Sequence, residues 1–178
     1  WVPLAGRWPP CIRPKGYPLW VGLRPRGESL PREIRNRRAY NSWSATAAAY
    51  EESGGRVLDI VAPLVPVVKP QSAFFEACGP EGMAVMQRLL RKARGLGVLT
   101  ILDAKRNDIA ATAAAYADAA FGGVSLAGRV HPVWEADALT VNPYLGRDAV
   151  EPFLQSARRV QAGVFVLVRT SNPGAGLF

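Results

Sequence analysis

Between Thr100 and Ile109 the chain reads Thr100-Ile101-Leu102-Asp103-Ala104-Lys105-Arg106-Asn107-Asp108-Ile109. An apolar run over residues 98–102 ends abruptly in a carboxylate, an ammonium, a guanidinium, an amide and a second carboxylate. Side chains two apart on a strand share a face, so Asp103 and Lys105 are expected to project together. Opposite charges a few ångströms apart favour each other's ionised forms, so the pair places fixed charge of both signs at one spot. Asp108 lies past the strand end, where its carboxylate is expected to cap the next helix. Any one of these groups alone is an ordinary solvated strand end. Together they read as a site.

Strand, loaded loop and helix are the elements that must position them. Residues 110–120 are alanine-rich and read as the helix. Charged groups at the carboxyl end of a strand that feeds a helix are where (β/α) barrels keep their chemistry. The alternation repeats along the chain. Residues 18–23 read as a first strand and residues 65–68 as a second, with Lys69 at its end. Residues 138–141 read as a fourth, ending at Asn142, and residues 164–168 as a fifth, ending in Thr170-Ser171. Between them lie helical stretches over residues 43–52 and 57–61, interrupted at Gly54-Gly55, and over residues 148–155. Another opens at Gly79-Pro80, with Pro80 suited to a first turn. It carries Met83, Met86, Leu89, Leu90 and Ala93 at helical spacing and closes at Gly95 and Gly97. Residues 121–134 are glycine-rich and irregular in pattern.

Short, continuous apolar strands alternating with helices argue an α/β fold with a parallel sheet. A closed barrel of this kind has eight strands. The fold class expected is therefore a (β/α)8 TIM barrel with about the first five β/α units present, and a partial chain is expected. Residues 1–17, with four prolines and no periodic pattern, are expected to be an irregular basic lead, with the barrel domain over residues 18–178.

Composition narrows the function classes. At 178 residues, 49% apolar and 20% charged, the chain suits one soluble domain with a substantial core. No apolar run reaches the roughly 18–20 residues that span a bilayer, so no membrane segment is expected. Cys11 and Cys78 stand far apart without CxxC spacing, which suggests neither a disulfide framework nor a metal site and fits a reducing, cytoplasmic compartment. A single histidine, His131, sits in the loop-like Val130-His131-Pro132 and excludes metal chemistry built on histidine clusters. The net charge of +8 is concentrated in residues 1–38, where nine Lys/Arg face only Glu28 and Glu33. Without aromatic residues interleaved among the basic ones, this reads as a basic surface, and no nucleic-acid partner is expected.

The pattern Asp103-x-Lys105-x-x-Asp108-Ile109-x-x-Thr112 resembles the signature of the orotidine 5'-phosphate decarboxylase family. Val68-Lys69-Pro70-Gln71-Ser72-Ala73-Phe74-Phe75-Glu76 is similar to the second-strand lysine motif of its mycobacterial-like, type 2 branch. Leu139-Thr140-Val141-Asn142-Pro143-Tyr144-Leu145-Gly146 and Arg169-Thr170-Ser171-Asn172-Pro173-Gly174 resemble the same branch, so four motifs stand in register. The resemblance implies conversion of orotidine 5'-monophosphate to uridine 5'-monophosphate and CO2, in pyrimidine biosynthesis, with no metal and no cofactor. It implies that Lys105 is the general acid, that Asp103 lies beside the departing carboxylate and that Lys69 holds Asp103 ionised. Asp108, Ile109 and Thr112 would reach into a partner's site in a homodimer. Ser171 would read the pyrimidine edge, and Asn142 would face the substrate. One departure stands out: where the family has an aspartate that contacts the ribose, this chain has Arg24. In the family the later strands supply the arginine and glycine backbone that grip the phosphate. Two alternatives go with these motifs: the metal-dependent sister 3-keto-gulonate-phosphate decarboxylase, and a non-catalytic relic of the same fold.

Overall fold

A computed structural model describes residues 4–37 and 41–176. The lead segment, expected to be irregular, opens with a helix, α1 (Leu4–Ile12), despite Pro9 and Pro10 inside it. Burial outweighs the propensity cost. Trp8 and Cys11 pack on Val67, Leu99, Ile101 and Ala138. Arg7 Nη1 donates to Asp137 Oδ1 at 2.5 Å, and Lys15 Nζ donates to the Ala62 carbonyl and, at 2.8 Å, to that of Val65.

Strand β1 (Trp20–Leu23) follows, then the short helix α2 (Arg32–Arg37) and the long helix α3 (Trp43–Val61). Ser42 caps α3 by accepting from the Ala45 N–H at 3.2 Å. The interruption expected at Gly54-Gly55 does not occur. A methyl group on Gly54 would come within 2.7 Å of Leu89 Cδ1, so the glycine serves close helix packing rather than a break. Strand β2 (Val67–Pro70), helix α4 (Ser72–Glu76) and helix α5 (Gly79–Gly95) come next, with Pro80 in the first turn of α5 as expected.

Strand β3 (Leu99–Arg106) runs four residues beyond the apolar stretch and carries the charged residues on its end. Helix α6 (Ala110–Ala117) is shorter than the alanine content suggests. It gives way to a widened π-type turn, Asp118–Gly122, where Asp118 Oδ1 accepts from Arg159 at 2.7 Å. A small antiparallel hairpin, β4 (Val124–Leu126) and β5 (Arg129–His131), occupies the glycine-rich segment. The order closes with β6 (Ala138–Val141), α7 (Arg147–Val160) and β7 (Gly163–Val166). Helix α7 extends past both ends of residues 148–155 because Ala149, Val150, Phe153 and Ala157 bury one continuous stripe.

The sheet order is β1-β2-β3-β6-β7, and every pair within it is parallel. Leu23, Val68, Leu102, Leu139 and Val141 point to the helical layer and join its core. The opposite face begins with Val67, Leu99, Ile101 and Ala138, stoppered by α1. The site lies farther along that same inner face.

Candidate active site

Strand alternation carries the inner face from apolar to ionic in one step. Two residues beyond Val67, Ile101 and Ala138 stand Lys69, Asp103 and Thr140. Gly22 of β1 pairs with Lys69 in register. The carboxylate of Asp103 is the hub. It is 3% exposed and accepts from Lys69 Nζ through Oδ2 and from Lys105 Nζ at 2.5 Å through Oδ1. The Thr140 hydroxyl donates a third hydrogen bond, 3.0 Å to Oδ1. Burial pushes this carboxyl up, but the hydrogen bonds from Lys105 and Lys69 and their charges outweigh it. The net result lies below the ordinary carboxylate value.

Lys105 reaches Asp103 by an irregular route. The β3–β6 register shifts between Leu102 and Arg106, and Lys105 sits in the left-handed region at φ +47°. Its backbone N–H donates to Thr140 Oγ1 at 2.9 Å. Simple alternation therefore names the right partners, while a local bulge delivers one of them. The Lys69 side chain is 19% exposed and that of Lys105 44%, so Lys105 is the member of the set that faces solvent.

A second ionic cluster borders the first. Arg106 Nη2 donates to Glu76 Oε1 at 2.5 Å and to Ser72 Oγ at 3.4 Å, and its guanidinium lies 5.2 Å from the Tyr116 ring. Burial raises the Glu76 carboxyl, yet hydrogen bonds from Ser72 and Arg106 bring it below its ordinary value. Thr140, Glu76 and Arg106 all escaped the sequence reading as site residues. The available signal was period two: Thr140 stands two before Asn142.

The remaining expected residues do not join the hub. Asp108 does not cap α6; its Oδ1 accepts from the adjacent Ile109 N–H at 2.8 Å, and Ile109 itself occupies the capping position. Ala110, the first residue of α6, stands in the left-handed region at φ +43°. Ile109 is 54% exposed and Thr112 is exposed. Asn142 Oδ1 accepts from the Tyr144 N–H at 2.9 Å and borders a cleft of about 370 Å³ with Leu167, Thr170 and Asn172. Ser171 is exposed beside that cleft. Arg24 is exposed, folds back over Gly22 and lies with Nε 3.3 Å from where a Gly22 methyl would be. Among the described residues no three His, Cys, Asp or Glu groups converge as a metal site, and no helix is long and apolar enough to cross a membrane.

The model of the orotidine 5'-phosphate decarboxylase / HUMPS family matches residues 50–176. The chain belongs to this family. An orotidine 5'-phosphate decarboxylase of Rhodopirellula baltica is 49% identical over 156 residues, which is 88% of this chain and 51% of that one. One from Nocardioides is 39% identical over 173 residues, 96% of this chain and 57% of that one. The solved structure of Leishmania donovani OMP decarboxylase superposes with a TM-score of 0.72 at 31% identity, covering 97% of this chain and 56% of that one. The chain thus spans about half the length of the curated relatives it matches. Its five parallel strands are part of the family's TIM barrel, and the expectations of fold and family both stand.

Proposed function

We propose that this chain forms the part of an orotidine 5'-phosphate decarboxylase that bears the reacting charges, acting on orotidine 5'-monophosphate to give uridine 5'-monophosphate and CO2. The observation that carries the reading is the Lys69–Asp103–Lys105 network at the carboxyl ends of two adjacent barrel strands. Loss of CO2 from C6 of the pyrimidine leaves a carbanion without a ring electron sink, so stabilisation must come from preorganised charge. Lys105, the more exposed ammonium, faces the developing carbanion and delivers the proton to C6. Asp103 stands beside the departing carboxylate and, held ionised by both lysines, stresses it by repulsion. Lys69 keeps Asp103 charged and touches the ribose. The reaction draws on no metal and no organic cofactor, and the setting is cytoplasmic pyrimidine biosynthesis.

The active unit in this reading is a homodimer. Asp108, Ile109 and Thr112 project from the start of α6 and serve the partner's site. The exposure of Ile109 and Thr112, and the absence of any cation paired with the half-buried Asp108 among the described residues, support that assignment. Ser171 reads the pyrimidine edge, and Asn142 lines the adjoining cleft.

The test joins the 178-residue chain to the carboxyl-terminal half of the R. baltica relative and follows decarboxylation of orotidine 5'-monophosphate. Lys105→Ala is expected to lower kcat roughly 10²- to 10⁴-fold, the range for a general acid. Normal turnover without Lys105 overturns the reading.

A further inference from the structure

We infer that Thr140 is a positioning residue whose hydroxyl aims the Asp103 carboxylate and pins the backbone of Lys105. This deepens the proposed function, because it concerns the same pair of reacting groups. The hydroxyl sits at 8% residue exposure between two obligatory partners. Its oxygen accepts the Lys105 N–H at 2.9 Å, and its single proton goes to Asp103 Oδ1 at 3.0 Å. With the Lys105 N–H on one lone pair, the proton turns to the carboxylate within reach. The same Oδ1 takes the Lys105 ammonium at 2.5 Å. One threonine thus ties both ends of Lys105, main chain and side chain, to one carboxylate oxygen.

The arrangement has a structural reason. Lys105 holds φ +47°, a left-handed conformation that strains a residue with a side chain and persists only where its surroundings enforce it. The register shift between Leu102 and Arg106 takes its N–H out of the regular β3–β6 ladder. Thr140, on the neighbouring strand, replaces the lost ladder partner with a side-chain acceptor. The bulge that brings Lys105 round to Asp103 is therefore locked by the residue that also orients Asp103.

The experiment needs no substrate, so it stands apart from the decarboxylase reading. The full chain labelled with carboxyl-¹³C aspartate is titrated by NMR, with Asp103→Asn identifying the Asp103 signal. Thr140→Val keeps the shape and removes the hydroxyl; the Asp103 midpoint is expected to rise by about one pH unit, the size of one lost hydrogen bond to a charged group. Exchange of the Lys105 amide is expected to speed at least tenfold. Thr140→Ser is expected to restore both. Should the valine variant fail to fold, Thr140→Ala against Thr140→Ser makes the same comparison. An unchanged midpoint and unchanged exchange in the folded variant lacking the hydroxyl overturn the inference, as does a serine variant that behaves like valine or alanine.

Discussion

Asp103 is a buried carboxylate that stays charged only because three donors surround it. Its folded-state value lies below the ordinary carboxylate value, so the sign of its linkage to stability is set. A depressed carboxyl contributes stability that is complete above the unfolded value of about 4 and is lost as pH falls through the lower folded value. Asp103→Asn leaves Lys69 and Lys105 facing a neutral amide, and breaking such a buried pair costs about 3 kcal/mol at neutral pH. Acid protonates the wild-type carboxylate and makes it resemble the amide. The gap between wild type and variant is therefore expected to shrink from pH 7 to about pH 2.5. Urea unfolding at both values checks this, and an equal gap at both rules out the carboxylate as its source. The types and spacing of Lys69, Asp103 and Lys105 were legible in the sequence because charge at a strand end is conspicuous. Thr140 was not, since a threonine inside a strand is also what β-propensity alone would place there. The left-handed turn at Lys105 was equally hidden, because lysine carries no signature for positive φ.

Among the elements, the five strands of the parallel sheet are legible in place and order, with ends off by up to four residues, while the β4–β5 hairpin and several helix ends are not. Burial on both faces makes the central strands β2 and β6 short apolar runs, a pattern with few rivals. Gly54-Gly55 looked like a break in α3, yet Gly54 lets α3 approach α5. The lead helix α1 was invisible because Pro9 and Pro10 argue against it, and only the inner face of the sheet gives Trp8 a place to bury. Two glycines separate the competing effects. An alanine in a helix gains about 1 kcal/mol over glycine, while overpacking costs about 1–3 kcal/mol. At Gly54 the neighbour is the flexible tip of Leu89, which can rotate away. At Gly82 a methyl group would lie 2.1 Å from the Phe75 carbonyl oxygen and 2.7 Å from Cys78 Cβ, and a backbone oxygen anchoring α4 to α5 has nowhere to go. Gly54→Ala is expected to change stability by less than about 1 kcal/mol, and Gly82→Ala to lower it by about 2 kcal/mol or more. Equal urea midpoints for the two variants would contradict this account of the α4–α5 contact.

At the scale of the whole molecule, the sheet has one stoppered end and, among the described residues, two open edges. Helix α1 closes the end where the strands begin, held by Arg7 to Asp137 and by Lys15 to the carbonyls before β2. Among the described residues, strands β1 and β7 each have a strand partner on one side only. Their neighbourhoods expose large apolar groups: Trp20 at 53%, Phe165 at 42% and Val168 at 97%. An edge with free N–H and C=O groups beside apolar side chains is a template for pairing with another chain. The net charge of +8 opposes association at long range, but salt screens it beyond about 8 Å at physiological ionic strength. At contact distance the edges win. The 178-residue chain on its own is therefore expected to self-associate with rising concentration, more so in high salt, as read by sedimentation velocity. The double variant Trp20→Lys/Val168→Lys places a charge at each open edge without touching the Asp103 hub. It is expected to sediment as a monomer with its melting temperature little changed, because neither side chain is buried. A wild-type chain that stays monomeric at high concentration in high salt shows that the edges are shielded by something other than charge.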